Sequence, residues 1–322
     1  MNTYFSKTLA LVMFASSMLF LSGCTKSIIN IELGNTPNGG STTDGGSSGS
    51  TQGNLVSFNA SVESRNMTRA LTPMQKGVAN LLFAFKSPIE TLDDPTEEGL
   101  YVTTSVGIMT GASDYKMYLP SGVYTFYAVS NNAYSTPAQF TDGISHPLMN
   151  GVDYLWANNK LQDINTRQVN IPIIYLHSAT QVVFDITSDP SLKLDKLVSA
   201  TITPTKPGET MQLFNGDITP ATSYSPTPAN MGINKFLAQY IMLPLETNDP
   251  MKLVLNVLVN GETTPRVYSV DVPVPDGELK GGDSYVFSAI LGENSITFAD
   301  VNIARWTDVD ETGNPLYPSQ KE

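Results

Sequence analysis

The sequence predicts an all-β protein built as two β-sandwiches in tandem. Three observations lead there. Apolar and polar residues alternate at period two in run after run, the pattern of half-buried strands. Turn residues punctuate those runs at Leu119-Pro120-Ser121-Gly122, Asn260-Gly261, Pro275-Asp276-Gly277 and Lys280-Gly281-Gly282. No long amphipathic helix interrupts them, and residues 55–322 are enough chain for two sandwiches of about 100 residues each.

The first strand is set by Val56, Phe58, Ala60 and Val62, which alternate with Ser57, Asn59, Ser61 and Glu63 over Leu55–Val62. Similar runs predict strands at Tyr101–Ile108, Gly122–Val129, Gln168–Ile174, Gln181–Ile186, Lys252–Val259, Arg266–Val272, Ser284–Leu291 and Ser295–Ile303. Short helical turns are expected near Asn150–Trp156 and Asn234–Gln239. The resulting plan is a signal segment over 1–23, a tether over 24–54, an N-terminal sandwich over 55–170, and a C-terminal sandwich with an acidic tail over 171–322.

Ahead of the strands lies a leader. Lys7 is the only charged side chain before position 26, and Leu9–Leu21 is an apolar and small-residue run of 13 residues. That length suits the core of a secretory signal and is too short to span a membrane as a mature helix. It ends in Leu21-Ser22-Gly23-Cys24, which resembles a bacterial lipobox, where small residues precede a cysteine that carries lipid. Cys24 is the only cysteine in the chain. Acyl chains there would hold an otherwise soluble protein on the outer membrane. The following stretch, residues 34–54, has seven glycines and no large apolar side chain. It cannot bury enough surface to offset its ordering entropy, so a flexible tether is expected.

Composition narrows the function. The chain has 322 residues, 18 Lys and Arg against 30 Asp and Glu, and a net charge of −12. A nucleic-acid partner is disfavoured, because phosphates require clustered basic residues. One cysteine excludes a disulfide framework and a multi-cysteine zinc site. His146 and His177 are the only histidines, too few for a histidine metal centre; His177, after an apolar run, is expected to be a hydrogen-bonded structural residue. No Gly-x-Ser-x-Gly, His-Glu-x-x-His or phosphate loop occurs. No catalytic residue, metal or cofactor is assigned, and an enzyme is not expected. Asp308-x-Asp310-x-Thr312-Gly313 is similar to the first half of a calcium loop, but its twelfth position is Ser319 rather than a bidentate Glu. A solvated acidic tail is the expectation there, and a loop is expected around Asp93, Asp94, Glu97 and Glu98. Trp156, Trp306 and the tyrosines are expected to pack in cores rather than form a glycan-stacking platform.

Five segments together resemble one family. They are Leu119-Pro120-Ser121-Gly122-Val123-Tyr124-Thr125-Phe126-Tyr127-Ala128, Asp153-Tyr154-Leu155-Trp156-Ala157, Leu176-His177-Ser178-Ala179-Thr180, Tyr240-Ile241-Met242-Leu243-Pro244, and Leu279-Lys280-Gly281-Gly282-Asp283-Ser284-Tyr285 followed by Ile296–Trp306. In this order, behind a lipobox, they resemble the fimbrillins, lipoprotein pilins of type V pili. The resemblance implies two transthyretin-like sandwiches and assembly by strand exchange with other pilin subunits. It also implies a cut by a trypsin-like protease after an arginine near the start of the first domain. Here that places the cut at Arg69-Ala70, or less favourably at Arg65, with Val56, Phe58, Ala60 and Val62 on the displaced strand. The expected function is a structural or accessory subunit of a surface fimbria serving cell adhesion. The alternative is a monomeric surface lipoprotein that binds a glycan or another host or bacterial surface ligand. The tail after Trp306 is acidic and carries Pro315 and Pro318, which makes it a poor donor strand.

Lipidation is directly testable. Cys24→Ala should leave the precursor unprocessed and abolish incorporation of labelled fatty acid; unchanged labelling would refute it.

Overall fold

The computed structural model describes residues 53–63, 71–304 and 306. Eleven strands form its first half: β1 (Asn54–Glu63), β2 (Leu71–Pro73), β3 (Ala79–Lys86), β4 (Glu97–Ser105), β5 (Ile108–Gly111), β6 (Met117–Leu119), β7 (Gly122–Ser130), the two-residue pair β8 (Phe140–Thr141) and β9 (Ile144–Ser145), β10 (Leu155–Ile164) and β11 (Gln168–His177). Eleven more follow: β12 (Thr180–Ser188), β13 (Leu194–Ile202), β14 (Ala229–Asn230), β15 (Gly232–Asn234), β16 (Leu237–Met242), β17 (Leu245–Glu246), β18 (Met251–Val259), β19 (Arg266–Val272), β20 (Glu278–Leu279), β21 (Ser284–Leu291) and β22 (Ile296–Ala304). The helices among the described residues are two single 3-10 turns, Ala112–Asp114 and Pro275–Gly277. The all-β expectation holds.

The first half is a sheet that returns on itself. Its order runs β11-β10-β7-β3-β4-β5-β1, and β1 also pairs with β11, so seven strands close a ring. Inward side chains from all seven share one core, including Phe58, Leu82, Tyr101, Met109, Phe126, Leu155 and Ile173. In the second half, β15-β16-β12-β21-β22 and β14-β13-β18-β19 form two sheets around another core. Phe184 and Phe287 are register partners there and stack at 5.2 Å. The halves share one motif: the opening strand lies parallel to a late one, β1 to β11 and β12 to β21, each over eight residue pairs.

A third core joins the halves. The outer faces of β3 and β7, with Leu81, Phe83, Phe85, Tyr127 and Val129, pack against Met211, Leu213, Ile218, Ile241 and Leu243. Backbone hydrogen bonds reinforce it, from Ser145 N–H to the Met211 carbonyl at 2.9 Å and from Leu213 N–H to the Gly143 carbonyl at 2.8 Å. The Asn150 side chain adds a satisfied knot, donating to the Thr205 carbonyl at 2.7 Å and accepting from Leu243 N–H at 3.0 Å.

The structure departs from the sequence expectations in definable places. Tyr101–Ile108 is two strands, because Gly107 at φ +75° turns the chain between β4 and β5. The helical turns expected at Asn150–Trp156 and Asn234–Gln239 are absent. A turn at Asn150-Gly151 leads into β10, and Lys235 at φ 52° makes the hairpin bend between β15 and β16. Strand β3 escapes the period-two criterion because both its faces are buried, one in the ring and one between the halves.

Closure of the ring by β1 carries an energetic consequence. Phe58→Ala should destabilise the uncut protein by about 3–5 kcal/mol, whereas Val106→Ala, at a site 58% exposed, should cost within about 0.5 kcal/mol. Urea unfolding of the two variants decides this.

Candidate strand-exchange site

Strand β1 forms because its residues suit a pleated ribbon wet on one face and dry on the other. Val56, Phe58, Ala60 and Val62 point inward and are at most 9% exposed. Ser57, Asn59, Ser61 and Glu63 point the other way, and the Ser57 hydroxyl reaches the Val169 carbonyl at 3.3 Å. The Phe58 ring meets Tyr101 edge-on at 5.1 Å and Phe126 at 5.7 Å, a favourable aromatic geometry.

The two sides of β1 are held differently. Along β11 the ladder is parallel and continuous, from Leu55 opposite Gln168 to Val62 opposite Tyr175. Leu55 N–H extends it to the Arg167 carbonyl at 2.9 Å. On the other side three short strands take turns, all antiparallel: β6 at Asn54–Val56, β5 at Asn59 and β2 at Ser61–Glu63. Gly107 sits close enough there for its carbonyl to accept from Ala60 N–H at 2.8 Å. A Cβ on this glycine would lie 3.3 Å from the Ala60 carbonyl oxygen, and its positive φ disfavours other residues.

Two tyrosines of this core, Tyr101 and Tyr175, bury their hydroxyls, and that of Tyr175 has no hydrogen-bond partner among the described residues. Burial raises both phenols above their ordinary value near 10. Both therefore stay neutral at physiological pH.

Of the residues singled out from sequence, Val56, Phe58, Ala60 and Val62 are brought together as one row. Cys24, Arg65, Arg69 and Ala70 lie outside the described residues, as do residues 24–52 of the tether and the acidic tail; Asn54, read as the tether's last residue, is the first of β1. The three arginine-site residues fall between the end of β1 at Glu63 and the start of β2 at Leu71. Closure of a ring by β1 has no local signal in the sequence, since alternation reports which face is buried and not which strand lies alongside.

At the junction of the halves, His177 is buried and its Nδ1 lies 2.7 Å from Asp153 Oδ1. Asn132 donates to the other carboxylate oxygen at 2.9 Å. The His177 ring stacks on Trp306 at 4.1 Å. Trp156 Nε1 donates to the Leu213 carbonyl at 2.7 Å, and Gly216 lies flat against its indole. Both tryptophans thus anchor cores rather than present an open stacking face. A cleft of about 360 Å³ remains here, bordered by Trp156, His177, Asn215, Asp217, Glu278 and Lys280.

A ring of strands completed by the chain's own first strand, followed by a second sheet pair, defines a class of tandem all-β proteins. The sequence profile of the fimbrillin-like family matches residues 68–306, and the chain belongs to that family. Solved structures with a similar fold include a candidate cell adhesion protein from Bacteroides uniformis, with TM-score 0.60 and 17% identity over 79% of this chain and 98% of that one. A second, from Bacteroides ovatus, has TM-score 0.58 and 14% identity over 80% of this chain and 99% of that one. No match was found among curated protein sequences.

The phenols give a pH test. Raised in the folded state, they hold their protons more tightly than in the unfolded chain, so stability is intact below pH 10 and falls as pH climbs through their raised values. Tyr175→Phe should make that alkaline loss shallower, and at neutral pH it should be neutral or stabilising, since it removes an unsatisfied hydroxyl. Urea midpoints at neutral and alkaline pH would check both; a destabilised variant would refute the assignment.

Proposed function

We propose that this chain is a structural or accessory subunit of a surface fimbria, assembled by strand exchange and serving cell adhesion. In this reading Cys24 carries the lipid that holds the exported precursor on the outer membrane. A cut after Arg69, or less favourably Arg65, then severs that anchor and frees β1. The folded body is two transthyretin-like domains; the division read from sequence as 55–170 and 171–322 moves to between β11 and β12, because β11 pairs with β1 along Gln168–Tyr175, and the partners are other subunits that supply a strand.

The observation that carries this reading is the place of β1 in the ring. It is the first strand among the described residues, side chains and ladders hold it in the ring's core, and the arginines follow directly after it in the chain. Burying one such side chain is worth roughly 1.5–3 kcal/mol. Losing Val56, Phe58 and Val62 is therefore severe for a fold stable by about 5–15 kcal/mol. Departure of β1 would also leave an eight-residue edge on β11 unpaired, and a foreign strand satisfies both defects at once.

The described arginines support a selective cut. The Arg167 carbonyl is bonded to Leu55 N–H in the tight turn between β10 and β11. Arg266 starts β19 and is paired with Glu262 at 2.6 Å. A protease needs extended, unpaired chain, which neither offers.

Ligand binding by an uncut monomer is the second reading, favoured by the cleft beside Trp156. Oligomeric state separates the two. Limited cleavage of residues 25–322 by an arginine-directed protease should cut between β1 and β2 and convert monomer to oligomer. Arg69→Ala combined with Arg65→Ala should remain monomeric under the same treatment. A cut protein that stays a stable monomer at high concentration would exclude strand exchange.

A further inference from the structure

The outward face of β1 matches its neighbours at Ser57, whose hydroxyl bonds to the Val169 carbonyl and the Asn170 side-chain oxygen, but not at the next two outward positions. Asn59 stands in register with Pro172 of β11 on one side and Ile108 of β5 on the other. Ser61 stands between Ile174 of β11 and Pro73 of β2. Ile108 is 53% exposed and Ile174 39% exposed, and Pro172 and Pro73 are also exposed. Two polar side chains thus run between two apolar rails on the surface of the ring. Cross-strand neighbours on one face are the unit of sheet stabilisation, and apolar pairs there favour association while a short polar side chain gains little.

The inward face is as selective in the opposite sense. Phe58 fills a socket between Tyr101 and Phe126, while Ala60, two residues on, is a small side chain beside its register partner Ile173 and is 3% exposed. A bulkier residue at that point would overpack the core.

We infer that the slot occupied by β1 is shaped for a strand of another chain that is apolar along its inward face and at two outward positions. Inward it carries aliphatic, aromatic, small and aliphatic side chains at the places of Val56, Phe58, Ala60 and Val62. Outward it carries apolar, preferably β-branched, side chains at the places of Asn59 and Ser61. The resident strand fills the inward half but leaves the two outward places at Asn59 and Ser61 unmatched, so it is a placeholder that the intended partner outcompetes. Its polar outward residues also keep the uncut protein from presenting a continuous apolar surface. This inference rests on the strand-exchange reading and specifies the partner within it.

The test uses protein cut between β1 and β2 and two peptides, one with the sequence of residues 54–63 and one with Asn59→Val and Ser61→Val. Fluorescence anisotropy should show the substituted peptide binding about tenfold tighter, from two added pairs on each rail. The same peptide with Phe58→Ala should bind at least tenfold more weakly than its parent. In the uncut protein, Asn59→Val with Ser61→Val should raise the melting temperature by about 2–5 °C. If the native peptide binds and the substituted one binds no tighter, or if the uncut double variant melts at or below the parent temperature, the two-faced slot is wrong while strand exchange stands. If neither peptide binds and the cut protein is a stable monomer, strand exchange itself fails and takes this inference with it.

Discussion

The parallel ladder between β1 and β11 is the contact on which the first half depends. Without it, β11 and the β5, β6 and β2 side of β1 are linked only the long way round the sheet, and the core that all seven strands enclose is open along its length. A parallel pairing cannot be made by a hairpin; it brings together segments more than a hundred residues apart, and here those are the first and last strands of the half. Position in the chain matters as much as position in the ring. A central strand could not leave without severing the covalent path through the sheet, whereas β1 can depart with everything from β2 onward still continuous.

Among the described residues, the second half braces the ring on the side of β3, β7 and β10. The outer faces of β3 and β7 are sealed by Met211, Leu213 and Ile218, and β10 is pinned through Trp156 to the Leu213 carbonyl. Among the described residues the strands around β1 have no such cover, and Leu71, Ile108 and Ile174 are exposed. Local opening follows the distribution of buried contacts, so the β1 side is the part of the ring free to yield. The buried His177–Asp153 pair stands at the boundary, at the end of β11 where the braced region begins. Such a pair favours one arrangement of its surroundings because separating its partners would strand a polar group in the core. It fixes the end of the strand whose other residues form the edge.

How far the sequence discloses this differs from element to element. Strands with one wet and one dry face, such as β1, β18, β19 and β21, are plainly written in alternation. Strand β3 is not, because being buried twice erases the alternation and leaves a continuous apolar run. The split of Tyr101–Ile108 hangs on one glycine whose positive φ the flanking pattern does not disclose. The inward row of the candidate site is legible as a set of four residues, and the family resemblance assigns it to the displaced strand, yet the strand it lies beside is not legible. Periodicity assigns a face to a residue, while closure of the ring depends on a neighbour supplied by residues 168–175, and no local pattern encodes that choice.

The same accounting explains why loss of one strand need not be loss of the fold. Val56, Phe58 and Val62 are a minority of the ring core; Leu82, Tyr101, Phe126, Leu155 and Ile173 remain on strands whose own ladders do not involve β1, apart from β11. The braced face keeps β3, β7 and β10 in place through a core that β1 never enters. What departure of β1 creates is therefore a localised defect: a hydrophobic slot with polar backbone along its walls. Water can solvate the backbone but not the apolar floor, and a helix or loop could cover the floor but not pair the walls. Only an extended segment does both, so the shape of the defect selects the shape of its remedy.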